Sequence, residues 1–372
     1  MDYIRGFLGI LVLVIFASIF SSNRKLIDWR LVSIGILLQV VFGVLITKVG
    51  FVATIFSNVS AGFVKFLSFS EEGAQFIFGD LATNSFGFIF AFQVLPTIIF
   101  FSTVSAGLYY LGVLQKVVFG IAWIMSRTMR LSGPESLSAA GNIFLGQTEA
   151  PLLVKPFIPT MSRSELMCLM TGGMATIAGG VLAGYVAFLG GDDPVEKTRF
   201  ATYLLGASIM NAPAAIVISK IIIPEEKNRK LDEHLDISSE VPDVNLIDAM
   251  SRGASEGLRL ALNVGAMLLA FIAVIAALNF LLSGIIGEFL GLNTLVVNST
   301  NGTFSGFSLE YLLGQVFRLF AWIIGVEWKD TLAVGSLLGQ KTVINEFVAY
   351  LGLADMKEAG TLSPKSIVIA TY

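Results

Sequence analysis

Apolar runs long enough to cross a bilayer recur along the whole chain, and no other feature restricts its fold as much. A spanning helix needs about 20 consecutive apolar residues. Such runs are expected at 4–20, 31–48, 88–111, 165–189, 201–223, 259–284 and 309–326, with another beginning near 365. They are continuous rather than alternating over about ten residues, which predicts helices and not barrel strands. The expected fold is an all-α polytopic membrane protein of about eight spans. Of the 372 residues, 55% are hydrophobic and 14% charged, with a mean hydropathy of +0.80. A soluble domain carries roughly 25% charged residues, so an ordinary cytosolic enzyme is excluded, as is a disordered chain. The net charge of −3 leaves no basic footprint for nucleic acid. One cysteine, Cys168, and one histidine, His234, exclude a disulfide framework and a Cys/His metal cluster.

Charge sets the orientation. Arg24, Lys25 and Arg30 follow the first run, which predicts a retained span with its N-terminus outside rather than a cleaved leader. Lys116, Arg127, Arg130 and Arg163, then Lys227, Arg229, Lys230 and Arg252, fall in the expected inner loops. Glu71, Glu72 and Asp80, then Asp192, Asp193 and Glu196, fall in the outer ones. This bias predicts a multi-pass protein of the cell (inner) membrane. Segment Gly112–Met129 is amphipathic and is expected along the inner interface. Pro224–Ser255, which contains His234, reads as a solvated loop of mixed charge. Asn298-Ser-Thr and Asn301-Gly-Thr, in the loop Leu292–Phe307, match the glycosylation pattern; in a bacterial chain they are simply polar loop residues.

Function is expected where the apolar pattern breaks. Ser136–Thr160 has helical ends around Gly146-Gln147-Thr148-Glu149-Ala150-Pro151. Glycine frees the backbone there and proline removes a donor. Asp330–Leu353 has the centre Gly339-Gln340-Lys341-Thr342, followed by Asn345-Glu346. Each arm is too short to span, so two re-entrant hairpins are predicted. They lie about 190 residues apart, each followed by a Ser-rich step and an apolar run, as in an internal repeat. A charged group at the bilayer centre costs about 2.5–3.5 kcal/mol, so Glu149 and Glu346 are expected to face a water- or ligand-filled cavity. The bland alternative places both at loop tips in water. Lys341 either pairs with a carboxylate or snorkels. Thr171–Gly180, with four glycines around Thr176, permits close helix packing or local unwinding that exposes carbonyls to a small cation. Asn211 and Pro213 of Ser208–Pro213 read as packing and kink residues.

Three motifs in this order carry a resemblance: Gly146-Gln-Thr-Glu-Ala-Pro151, Ala175-Thr-Ile-Ala-Gly-Gly180 and Gly339-Gln-Lys-Thr-Val-Ile-Asn-Glu-Phe-Val-Ala349. The chain resembles the concentrative nucleoside transporter family over essentially its whole length, from Ser21 onward. The resemblance implies a sodium-coupled nucleoside importer with elevator-type alternating access, built as a homotrimer, with hairpins and partly unwound spans in inverted repeats. It implies that Gln147, Thr148 and Glu149 bind the nucleobase, that Val181 packs near it, and that Glu346 holds the ribose. It also implies a sodium site of Asn142 and Thr176 side chains with the Leu145 and Ile177 carbonyls. Some relatives are proton-coupled with Ser at the Asn142 position, so Asn142 favours sodium over a proton. Family members continue past Thr371-Tyr372 with further ribose ligands and a final span, before which this chain stops.

The implied organisation is scaffold spans and an interfacial helix at 1–135, a first transport repeat at 136–223, a loop and scaffold span at 224–326, and the second hairpin with the start of the next span at 327–372. The competing readings are a passive channel, and an intramembrane enzyme with Glu149 and Glu346 as acid and base. The enzyme reading lacks a nucleophile motif, a metal motif and any histidine within a span.

Overall fold

The computed structural model describes residues 2–83, 85–147, 150–191, 193–226 and 243–372. In chain order the helices are α1 (Asp2–Ile19), α2 (Trp29–Lys48), α3 (Gly50–Phe78), α4 (Phe90–Gln93), α5 (Leu95–Tyr110), α6 (Val113–Met129), α7 (Gly133–Gly141), α8 (Ala150–Leu153), α9 (Arg163–Ala175), α10 (Gly179–Gly190) and α11 (Pro194–Ile222). They continue with α12 (Leu246–Asn279), running on as a π-helical stretch to Gly287, then α13 (Leu292–Ser299), α14 (Leu309–Ile323), α15 (Thr331–Val343), α16 (Glu346–Glu358) and α17 (Pro364–Thr371). The fold is all-helical, as the continuous apolar runs predict.

Six stretches among the described residues are long and apolar enough to cross a membrane: Trp29–Lys48, Gly50–Ala82, Phe90–Tyr110, Arg163–Gly190, Pro194–Ile222 and Leu246–Gly287. The runs at 4–20 and 309–326 also form helices, but shorter ones. Three boundaries differ from the sequence reading. No span is expected between 50 and 78, yet α3 fills it, because Lys65, Glu71 and Glu72 dilute a segment that is otherwise apolar. The polar loop ends earlier than expected, at Leu246, where α12 begins. Asn298 lies on α13 rather than in a loop, while Asn301 is an exposed turn residue with φ of 50°. Residues 227–242, including His234, lie outside the described residues, as does Asp192.

Polarity is inverted in the way a lipid solvent requires. The window of Leu246–Gly287 has the highest hydropathy of the six, 2.5, and none of it is buried inside the protein. That of Pro194–Ile222 has a hydropathy of 1.6 and is 61% buried. The most apolar window is therefore left outside the core, while Ala249, Ala261, Val264 and Leu268 elsewhere in α12 are buried, and the moderately apolar helix builds the core.

Contacts divide the chain into two compact units. Val14–Val186 with Asp192–Ala261 form one. Its core joins α2, α6, α7, α8, α9 and α11 through Leu31, Val118, Leu137, Leu153, Leu169 and Ile216. All of α7 is buried. α6 has one buried face (Val118, Ala122, Met125, Met129) and an exposed one where Arg127 lies 5.0 Å from the Trp123 ring. That division is the amphipathic pattern expected of Gly112–Met129.

The other unit is Met1–Leu13, Ala187–Gly191 and Leu262–Tyr372. Arg5 donates to the carbonyls of Trp322 and Val326, which satisfies the C-terminal end of α14. α14 and α15 touch backbone to backbone: a Cβ on Gly335 would stand 2.9 Å from the Gly314 oxygen. A Cβ on Gly339 would stand 2.6 Å from the Leu313 Cβ. Gly339-Gln340 is therefore a helix contact and not the predicted turn. The turn comes later, at Ile344–Asn345, where Asn345 leaves helical geometry (φ −169°, ψ 168°) and caps α16 through Val348 N at 3.0 Å.

Candidate functional site

Two helix ends meet in the first unit. α7 starts at a capping box, with Ser132 and Glu135 satisfying each other's backbone. It stops at Asn142, and a turn follows through Gln147. α9 stops at Thr176, whose backbone is extended (φ −108°, ψ 155°), and α10 resumes at Gly179. Unwinding at Thr176–Ala178 thus occurs, and close packing occurs beside it. A Cβ on Gly172 would come 2.9 Å from Asn142 Nδ2, and one on Gly173 would come 3.0 Å from the Gln147 Cβ.

Backbone groups tie the two breaks together. Gly179 N donates to the Phe144 carbonyl at 3.2 Å. Ser208 Oγ donates to the Ile143 carbonyl at 2.9 Å. Sequence reasoning missed Ser208, although it opens the polar patch Ser208–Pro213 on α11. Its hydroxyl pins the turn from outside.

Asn142 is 1% exposed, and among the described residues neither Oδ1 nor Nδ2 has a hydrogen-bond partner. A buried amide left unpaired costs about 1–3 kcal/mol, so it calls for a ligand. Thr176 is 9% exposed and donates its proton to the Gly172 carbonyl at 2.8 Å, which leaves oxygen lone pairs to accept or coordinate. Leu145 and Ile177 are buried in the turn and in the unwound stretch, where carbonyls stand outside regular helix. The described residues hold no cluster of three His, Cys, Asp or Glu fit for a metal ion. A cation here meets neutral oxygens, as suits a hard monovalent ion and not a transition metal. The residues present fit sodium on this ground: a buried amide oxygen, unpartnered among the described residues, on an amide packed against Gly172, whose carbonyl takes the Thr176 hydroxyl proton, with non-helical backbone on both sides.

Of the predicted nucleobase residues, Gln147 is exposed at the tip, over Gly173, and Val181 is buried in the first turn of α10. Thr148 and Glu149 lie outside the described residues. Glu346 belongs to the second unit, half-buried as the first residue of α16. A carboxylate there complements the helix N-terminus. Its neighbour Asn345 uses Oδ1 as the cap, while its buried Nδ2 has no partner among the described residues. In the sequence alone Asn345 is no more than a polar neighbour of Glu346. Lys341 is exposed and lines a cavity of about 520 Å³ with Leu337, Tyr350 and Tyr372, all in the second unit. Among the described residues no ion pair holds Lys341.

Comparison with known proteins covers the chain in three pieces. Residues 8–81 match the family model "Na+ dependent nucleoside transporter N-terminus", residues 91–192 "Nucleoside recognition", and residues 203–372 "Na+ dependent nucleoside transporter C-terminus". An uncharacterised transporter of Bacillus subtilis (strain 168), YutK, is 41% identical over 373 residues, covering 100% of this chain and 86% of the relative. Sodium/nucleoside cotransporter 1 of Mus musculus is 40% identical over 360 residues, covering 96% of this chain and 51% of the relative. The chain therefore spans about half the length of that mammalian protein. The structure of CNTnw in an inward-facing substrate-bound state superposes with a TM-score of 0.86 at 36% identity, over 100% of this chain and 85% of that one. A CNTnw variant in an outward-facing state superposes with a TM-score of 0.88.

Proposed function

The chain belongs to the Na+-dependent, concentrative nucleoside transporter family, and on that premise we propose that it is a sodium-coupled symporter that imports nucleosides across the cell (inner) membrane. The family is one of transporters, not enzymes, so Glu149 and Glu346 are read as ligands and not as an acid and a base. The observation that carries the ionic half is the buried Asn142 amide, without a partner among the described residues and packed against Gly172 near the end of α9, which unwinds at Thr176. Asn142 and Thr176 would hold sodium by side chain, with Leu145 and Ile177 by carbonyl. A bound cation supplies positive charge that draws the α7 turn and the α9–α10 break into one fixed geometry.

Gln147 at the tip, with Thr148 and Glu149, would read the nucleobase edge. A glutamine offers both an acceptor and a donor pair, a threonine a rotating hydroxyl, a glutamate acceptors. Val181 would pack on the base, and the Glu346 carboxylate would accept from ribose hydroxyls. The two helix–break–helix elements, α7–α8 and α15–α16, would enter the membrane as re-entrant hairpins. Both they and the broken helix α9–α10 would move past the scaffold spans in an elevator-type cycle. The related transporter CNTnw has outward-facing, intermediate and inward-facing structures, which supports alternating access here. A homotrimer is the assembly proposed.

Ion and substrate that share one junction must couple. Sodium should raise the melting temperature of the purified protein, and potassium or N-methylglucamine should not. At a sodium concentration about 100 times its dissociation constant the stabilisation is about 2.7 kcal/mol. Reciprocity then requires uridine to bind more tightly in sodium by the factor with which uridine tightens sodium. Equal melting temperatures and equal uridine affinities in all three salts would contradict the site. A proton-coupled transporter would instead respond to pH and not to sodium.

A further inference from the structure

We propose that Lys220 is a positioning residue for ion coupling: it ties together the far ends of the two helices whose near ends form the sodium site. The proposal rests on the reading of Asn142 as an ion ligand.

Lys220 lies in the last turn of α11 and is 6% exposed. Its Nζ stands 2.5 Å from Glu135 Oε1, 3.0 Å from Ser164 Oγ and 3.2 Å from Glu225 Oε2. The ammonium thus donates to Ser164 and Glu225 and pairs by charge with Glu135, so it meets three segments at once. Glu135 is fully buried in the first turn of α7, inside its capping box. Ser164 is buried in the first turn of α9. Ser162, the N-cap of α9, donates to Glu225 Oε2 at 3.0 Å and so closes the ring.

The opposite ends of these same helices carry the cation site. α7 ends at Asn142, and α9 ends at Gly172–Thr176, against which the Asn142 amide lies. Both helices are short and regular, so a shift of the first turn is passed on to the last. A buried ion pair is a poor source of net stability, since desolvation offsets the attraction. What it supplies is a fixed geometry. Lys220 sets the register of α7 against α9, and that register sets the distance from Asn142 to Thr176.

The test is sodium-dependent uridine uptake by the full chain in proteoliposomes. Ser164→Ala removes one hydroxyl from the ring and strands no charge, so it should fold normally. It should raise the half-saturating sodium concentration about threefold and leave uridine half-saturation at high sodium unchanged. Lys220→Met should raise half-saturating sodium at least about tenfold, because Glu135 then loses its buried partner. The double variant should be no worse than Lys220→Met alone, since both act through one ring. If Ser164→Ala leaves half-saturating sodium unchanged, or if either variant weakens sodium and uridine alike, Lys220 is structural only and the proposal fails. Asn142→Leu run beside them separates the two readings. Sodium stimulation that survives in Asn142→Leu removes the ion site itself, whatever Lys220 does.

Discussion

Replacing Asn142 by leucine should abolish sodium-stimulated nucleoside uptake and leave a folded protein in the membrane. The asparagine amide is buried with both polar atoms unpaired, so its loss breaks no hydrogen bond within the described protein. A buried polar group left unsatisfied costs about 1–3 kcal/mol, and an apolar side chain of similar shape avoids that cost. The melting temperature without sodium should therefore hold or rise. Sodium should no longer raise it, because the oxygen is gone and the leucine occupies the ion's place. A variant that kept its sodium dependence would remove Asn142 from the site. A variant that failed to fold would show instead that the amide is a structural element.

Loss of the Glu346 carboxylate should produce the second large effect. It sits half-buried at the start of α16, where a negative charge also suits the helix N-terminus. Hydrogen bonds to a charged group at a dry site are worth about 1.5–3 kcal/mol, or roughly tenfold to a hundredfold in affinity. A 3′-deoxynucleoside should accordingly compete far more weakly than uridine. Glu346→Ala should weaken uridine binding and shrink that discrimination, because the carboxylate proposed to read the hydroxyl is absent. Glu346→Gln should be milder, since its amide oxygen still accepts. Competition binding on purified protein measures all three. Normal uridine affinity with retained discrimination in Glu346→Ala would assign the ribose contact elsewhere.

The chain's own residues explain which of these features were legible. Apolar runs announce spans because lipid leaves the backbone no other partner. The break at Gly146–Pro151 is legible because five polar or conformationally special residues, Gly146, Gln147, Thr148, Glu149 and Pro151, interrupt one apolar segment. The break at Thr176 was legible only as one of two possibilities, and the structure contains both, with Gly172 and Gly173 used for close approach and Thr176 for unwinding. In the second of the two interrupted segments the glycine misled. Gly339 lies in α15 because α14 presses on it, and the chain turns at Asn345, a capping residue. α3 was missed because three charges within 65–72 lowered its hydropathy. The ring around Lys220 left no sequence signal beyond its two Ser-x-x-Glu caps. Its ammonium and the Glu135 carboxylate are 85 positions apart, and each alone reads as a charge at the end of an apolar stretch.

Uptake of labelled uridine into proteoliposomes, with an inward sodium gradient and with the same sodium on both sides, tests the central claim most directly. The account predicts transient accumulation above the external concentration with the gradient, equilibration without it, and loss of accumulation when a sodium ionophore is added. Equal, non-concentrative uptake under all three conditions would contradict it and describe a passive channel.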